Sequence, residues 1–146
     1  MNNYPRSVAE LNLDAVHLTP EVIAAVKLFA AARPYRGTIS ERVEKFRTAI
    51  NDICRGARVE PPRLLFEPDE RQTSGNSCCI PATRTIILRG RLSVITCLHE
   101  VGHLLYGSSE YQACAWSLRL FRECFPKSWS RLQFNGHMAV KRRNTP

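Results

Sequence analysis

Two histidines and a glutamate near residue 100 have the types and the spacing that metal chemistry requires. His99, Glu100 and His103 form an HExxH pattern. Histidines four residues apart on a helix present two imidazoles on one face, as a tetrahedral zinc ion requires of two of its ligands. A glutamate beside the first histidine can accept a proton from an attacking water. The pattern therefore predicts His99 and His103 as zinc ligands and Glu100 as a general base.

The residues around this pattern argue against an ordinary surface helix. Between Val94 and Leu105, every position outside the pattern is apolar or small. A helix that is apolar nearly all round is a buried helix, and burying histidine and glutamate without partners is costly. A metal ion would supply the missing partner, so the flanking residues favour the metal interpretation.

A catalytic zinc site needs a third protein ligand, and two residues compete for this role. Gly107 predicts the end of the motif helix, and Ser109 predicts the N-cap of a second helix directly after it. Glu110 would then lie in the first turn of the second helix, where acidic residues are also common because they suit the helix dipole. The rival is His137, in a loop-like segment near the C-terminus. Position alone leaves both open.

The same segment resembles a known enzyme family. The motif helix, the short turn and a Glu-x-x-Ala-x-x-aromatic-small stretch at residues 110–117 are similar to the small gluzincin-like zinc metallopeptidases of the ImmA/IrrE type. The similarity covers about residues 63–125. It implies a zincin-like fold and the following roles: His99, His103 and Glu110 bind zinc, and Glu100 is the base.

Two further expectations accompany this resemblance. In zincins an edge strand binds the substrate backbone, which implies that role for the strand at Thr83–Arg89. The SprT-like proteases are a second group that the chain resembles; they combine HExxH with a distant third histidine, which would be His137. The short turn favours Glu110, because a ligand at a helix start is held more firmly than one in a C-terminal segment rich in Gly, Asn and basic residues.

The elements that would position these residues form a single α+β domain over residues 1–146. Thr19 and Thr38 are predicted N-caps of two helices ahead of the site. A small sheet should follow, with strands at about Arg63–Glu67, Ser77–Ile80 and Thr83–Arg89, the last two forming a hairpin. The HExxH helix and the Glu110 helix then pack on this sheet, and Gly102 marks a close approach to another backbone.

Composition bounds the class of protein. No apolar run approaches the ~20 residues of a membrane span, and Met1–Arg6 has no basic-then-apolar signal pattern, so we expect a cytoplasmic protein without a membrane partner. Its six cysteines are then expected to be reduced thiols, with the helical ones acting as small hydrophobes. Residues 1–18 are predicted to be an irregular lead-in and residues 133–146 a basic tail.

The net charge of +8 favours an acidic partner such as a nucleic acid. A solvated basic surface without a partner explains the charge as well. No nucleic-acid motif with defined spacing is visible. The basic positions concerned are Arg84, Arg89, Arg91, Arg119, Arg122, Lys127, Arg131, Lys141, Arg142 and Arg143.

Taken together, these patterns predict a zinc-dependent peptide hydrolase that acts on a protein or peptide. The alternative is a non-enzymatic, zinc-stabilised basic module that binds nucleic acid or a protein partner. Glu100 argues against the alternative, because a structural zinc site needs no base. Hydrolysis also requires a second donor to the oxyanion, and the candidates are Tyr106, Tyr111 and His137.

Overall fold

The computed structural model describes residues 5–134 and 139–141 of the chain. In this part of the chain, five α-helices and two small sheets form an α+β fold, as the sequence predicts. The elements in chain order are α1 (Pro20–Ala31), α2 (Ile39–Gly56), β1 (Arg63–Pro68), β2 (Cys78–Ile80), β3 (Thr85–Gly90), α3 (Val94–Tyr106), α4 (Glu110–Cys124), α5 (Pro126–Trp129), β4 (Leu132–Phe134) and β5 (Ala139–Lys141). Short 3₁₀ turns lie at Ala9–Leu11, Leu13–Ala15 and Pro81–Thr83.

Side-chain caps start the first two helices where the sequence predicts them. Thr19 Oγ1 accepts a hydrogen bond from the backbone N–H of Val22 at 3.3 Å, and α1 begins at Pro20. Thr38 and Glu41 form a complete capping box at the start of α2, with distances of 3.0 and 3.1 Å. Each cap satisfies backbone donors that the first helical turn leaves unpaired, so both starts are fixed locally.

The three-stranded sheet has the order β1-β3-β2. β1 pairs parallel to β3 and β2 pairs antiparallel to it, which confirms the predicted hairpin of the last two strands. The strand predicted at Thr83–Arg89 begins two residues later, because Pro81–Thr83 forms a 3₁₀ turn between β2 and β3.

The expectation that this strand lies at an edge of the sheet is wrong. β3 is the central strand, and β2 is the edge strand that packs against α3. The reason lies in the continuous apolar run Ile86, Ile87 and Leu88, in which every residue is buried. Such a run is typical of a strand that is covered on both faces, at the centre of a sheet.

The connection from β1 to β2 crosses the end of β3. Thr73 in this connection places its carbonyl group where a side chain at Gly90 would project, and Gly90 has a φ of 72°. The hydroxyls of Ser74 and Thr96 lie 2.9 Å apart, which ties the connection to the first turn of α3. Glycine at position 90 is therefore required both by space and by backbone conformation.

The main core lies where α1 to α4 meet the sheet. Burial of α3 within this core confirms the expectation from its apolar flanks. The large, deeply buried side chains of this core include Val26, Phe46, Ile50, Ile53, Ile86, Leu98, Val101, Leu120 and Phe121. None of the helices in the described part of the chain is long and apolar enough to cross a membrane.

The segment formed by residues 5–16, called the N-terminal strap below, lies along α4. The sequence predicted an irregular lead-in here, whereas the structure contains two 3₁₀ turns. Leu11 and Leu13 from these turns form a second apolar cluster with Cys114 and Leu118 of α4. The strap is therefore part of the packed domain.

The C-terminal region contains a second, two-stranded sheet. β4 and β5 pair antiparallel, with Phe134 opposite Ala139. The sequence predicted only a basic tail from residue 133, because strands of three residues carry too little alternation to be recognised.

Candidate metal centre

α3 presents both histidines of the motif on one face. Ser93 caps this helix by accepting a hydrogen bond from the backbone N–H of Thr96 at 3.3 Å, and Gly107, with a φ of 82°, ends it. Between these ends, His99 and His103 lie one turn apart. Their ring centroids are 4.8 Å apart and their Nε2 atoms 3.2 Å apart.

Glu110, the first residue of α4, completes a cluster with the two histidines. Ser109 caps α4 by accepting a hydrogen bond from the backbone N–H of Gln112 at 3.2 Å, so only a short turn separates the helices. Glu110 Oε2 lies 3.1 Å from His99 Nε2, and Oε1 lies 2.9 Å from His103 Nε2. The structure thus brings together the three predicted ligands, which could hold a metal ion.

The two helices approach most closely at Gly102. A Cβ atom at this position would lie 3.0 Å from the Cα of Ala113 and 3.2 Å from its carbonyl oxygen. The close backbone approach predicted for Gly102 is therefore confirmed. The contact sets the separation of α3 and α4 next to His103, so the reach of Glu110 to the histidines depends on it.

The spacing of the ligand atoms fits one small cation. Ligand atoms bound to a tetrahedral zinc ion at about 2.0–2.1 Å lie about 3.3–3.4 Å from one another. The separations here are 2.9, 3.1 and 3.2 Å, so the predicted zinc ion would require only a small outward adjustment of the side chains. With three ligands among the described residues, a tetrahedral ion would have one position left for water or substrate.

The hydrogen bonding of His103 also suits a cation. Its Nδ1 lies 2.8 Å from the carbonyl oxygen of Gly107, which can only accept, so Nδ1 carries the proton. In the neutral imidazole, Nε2 then presents a lone pair to the Glu110 carboxylate at 2.9 Å. Two acceptors are stable at this distance only with a proton or a cation between them. A metal ion would satisfy both groups and His99 together.

Burial and like charge perturb the ionisable groups of the centre. Glu100 is only 7% exposed. This burial and, to a smaller extent, the nearby Glu110 carboxylate raise the pKa of Glu100 to about 8. A hydrogen bond from the Cys79 backbone N–H acts in the opposite direction and lowers the pKa. Burial also lowers the pKa of His99, and the attraction of Glu110 only partly offsets this effect. A lowered pKa favours the neutral form of His99, which is the form that binds a metal ion. A cation in the cluster would counter the repulsion between the two carboxylates.

The other side chains predicted for the site have different surroundings. His137 lies outside the described residues. The hydroxyl of Tyr111 donates to Glu10 Oε2 at 3.0 Å, so it already has an acceptor in the N-terminal strap. Tyr106 is 44% exposed and packs edge-to-face against Trp116, with ring centroids 6.3 Å apart. The identity of the oxyanion donor stays a prediction.

Two contacts of the centre were not foreseen from the sequence. Cys114, predicted to be a small hydrophobe, places its Sγ 3.7 Å from Nδ1 of His99. The backbone N–H of Cys79, in β2, reaches Glu100. The signal for Cys114 was its i,i+4 spacing from Glu110, because residues one turn apart share a helix face. The contact of β2 had no comparable signal, since it depends on the order of the strands.

Several arginines of the predicted basic surface make contacts within the domain. The guanidinium groups concerned bind carbonyl or carboxylate oxygens of neighbouring segments: Arg84 binds Glu60, Arg89 binds Glu67, Arg91 binds Glu70, Arg119 binds Leu13 and Arg122 binds Asp14. These contacts account for part of the basic charge without an external partner. Binding of nucleic acid stays a prediction.

No protein-family model, curated protein or solved structure matches the chain at a significant level. The function therefore has to be argued from the geometry and chemistry of the His99–His103–Glu110 cluster and its surroundings.

Proposed function

We propose that the chain is a zinc-dependent peptide hydrolase of the zincin type. The observation that carries this proposal is the convergence of His99, His103 and Glu110, whose ligand atoms lie within 4.8 Å of one another. Two imidazoles and one carboxylate, with a fourth position left for water, are a ligand set of catalytic zinc sites. The buried Glu100 one residue after the first ligand supplies the acid–base group that hydrolysis needs.

The roles of the side chains follow from this arrangement. A zinc ion, when bound, would lower the pKa of a water molecule and polarise the scissile carbonyl. Glu100 would accept a proton from the attacking water and return it to the leaving amine. The carbonyl oxygen of Gly107 would hold His103 in the tautomer that leaves Nε2 free to bind the metal.

We assign to β2 the binding of the substrate backbone, which the resemblance implied for the following strand. It is the sheet edge against α3, and the backbone N–H of Cys79, its middle residue, reaches Glu100. Among the described residues no strand pairs with the outer side of β2, and an extended peptide that paired there would pass beside the metal cluster. Pairing of this kind uses main-chain hydrogen bonds and selects little among side chains. We therefore expect extended or unfolded polypeptides as the substrate class.

Metal analysis and peptide cleavage on matched variants test this proposal. The wild-type protein should bind about one zinc ion per chain and cleave members of a proteome-derived peptide library. Glu100→Gln should keep the metal and lose cleavage by about 10²–10⁴-fold, the usual contribution of a general base. Glu123→Gln is the control, because Glu123 lies on α4 but pairs with Arg119 at the surface, and it should cleave as the wild type does.

Two results would refute the hydrolase. One is a Glu100→Gln variant that cleaves at the wild-type rate, and the other is a wild-type protein that binds no zinc. Zinc binding without cleavage of any peptide in the library would instead favour the zinc-stabilised binding module.

A further inference from the structure

Cys114 lies behind His99, on the side of the ring away from the ligand cluster. Its Sγ is 3.7 Å from Nδ1 of His99, whereas Nε2 of the same ring faces Glu110 at 3.1 Å. We propose that Cys114 is a positioning residue, whose sulfur accepts a hydrogen bond from His99 Nδ1–H and so holds Nε2 in place for the metal. This inference rests on the metal centre proposed above.

The proton on His99 supports this role. A neutral histidine that binds a metal through Nε2 keeps its proton on Nδ1, and metal-bound histidines generally donate that proton to a second group. Within the part of the chain that the structure describes, no acceptor other than Cys114 hydrogen-bonds this Nδ1. A buried N–H without an acceptor is costly, so the thiol has a polar function that a small hydrophobe would not supply.

Packing keeps the sulfur of Cys114 in this position. The residue is only 3% exposed, and the two leucines of the N-terminal strap and Leu118 pack around it. With apolar side chains on these sides, the sulfur is kept against His99. Glu110 lies one turn earlier on the same face of α4, so a single helix supplies one ligand and the support of another.

The two histidine ligands are supported by acceptors of different strength. His103 donates Nδ1–H to the carbonyl oxygen of Gly107 at 2.8 Å, whereas His99 faces sulfur, which is a weak acceptor. Both supporting groups are neutral, so neither adds negative charge behind the ligands, as a carboxylate would. The cation would therefore keep more of its positive charge for polarising water and substrate.

The zinc affinity of three variants tests the inference. Cys114→Val removes the acceptor and keeps most of the bulk, and we expect it to weaken zinc binding about tenfold, the lower end for loss of a supporting group. Cys114→Ser keeps an acceptor and should recover part of this loss. Cys124→Val is the control. It removes another thiol of α4, which faces the Ile23 carbonyl of α1, and this variant should bind zinc as the wild type does. Competition with a chromophoric chelator measures the affinity, and thermal melting checks the fold.

The absorption of bound Co²⁺ gives a second readout, because its visible bands depend on ligand geometry. We expect Cys114→Val to shift these bands and Cys124→Val to leave them unchanged. Wild-type zinc affinity and an unchanged cobalt spectrum in Cys114→Val would overturn the inference, as would a folded serine variant that binds zinc as weakly as the valine variant. A wild-type protein that binds no zinc would overturn the proposed function itself, which separates the two failures.

Discussion

At the scale of single residues, Glu110 decides how the site is interpreted. An acid that only complements a helix dipole can stay in solvent, because the interaction acts along the exposed first turn. The carboxylate of Glu110 is instead only 10% exposed, and each of its oxygens lies within 3.1 Å of an imidazole Nε2. Its burial between two potential ligands therefore favours the metal role over the dipole role.

We expect Glu110→Ala to weaken zinc binding by more than about 100-fold, which exceeds the usual loss for a supporting group. Isothermal titration with zinc measures this effect. Glu123→Ala is the matched control on the same helix, and it should bind zinc normally because Glu123 pairs with Arg119. His137→Ala should also bind normally. Tight binding by Glu110→Ala together with lost binding by His137→Ala would move the chain to the SprT-like interpretation.

At the scale of elements, Gly102 sets the distance between α3 and α4. Alanine favours a helix over glycine by about 1 kcal/mol, but its Cβ would lie 3.0 Å from the Cα of Ala113. Since overpacking costs about 1–3 kcal/mol, we expect Gly102→Ala to lose about 1 kcal/mol of unfolding free energy in urea. Gly75→Ala is the control, because the nearest atom to its Cβ would be 3.6 Å away. An unchanged or higher urea midpoint of unfolding for Gly102→Ala would show that the space between the two helices accommodates the added methyl group.

The same scale shows which parts of the fold a sequence can predict. The caps at Thr19, Thr38 and Ser109 each bind a donor three residues away, so the sequence contains both partners of the contact. The order of the sheet depends instead on β1. This strand pairs directly with β3, although β2 lies between the two in the sequence. The i,i+4 spacing of Glu110 and Cys114 places the thiol on the ligand-bearing face of its helix, but it does not identify His99, on the other helix, as the partner.

At the scale of the whole molecule, the N-terminal strap ties the beginning of the chain to α4. The polar contacts that fasten it join Glu10 to Tyr111, Asp14 to Arg122 and the Leu13 carbonyl to Arg119. The strap also covers Cys114, so it lies one layer behind His99. Its 3₁₀ turns are too short to show a hydrophobic period, so this packing could not be predicted from the sequence.

We expect Leu13→Ala to lower the free energy of unfolding by about 2–4 kcal/mol, because it leaves a cavity between the strap and α4. Leu13 is only 5% exposed. Leu28→Ala is the control, because Leu28 is 65% exposed and should change stability by less than about 0.5 kcal/mol. Thermal and urea unfolding measure both variants. Equal stability of the two would show that the strap contributes nothing to the folded unit.

The position of the ligands along the chain has a consequence for how the ion and the fold depend on each other. His99 and Glu110 are only 11 residues apart, whereas Leu13 and Arg119, which help to close the domain, are 106 residues apart. An unfolded chain can therefore gather the three ligand groups without the rest of the domain and retain part of its affinity for the ion. Only the difference between the affinities of the folded and unfolded chains stabilises a fold. The proposed zinc ion could thus be captured before the domain closes, and it would add less to stability than the tightness of its binding implies.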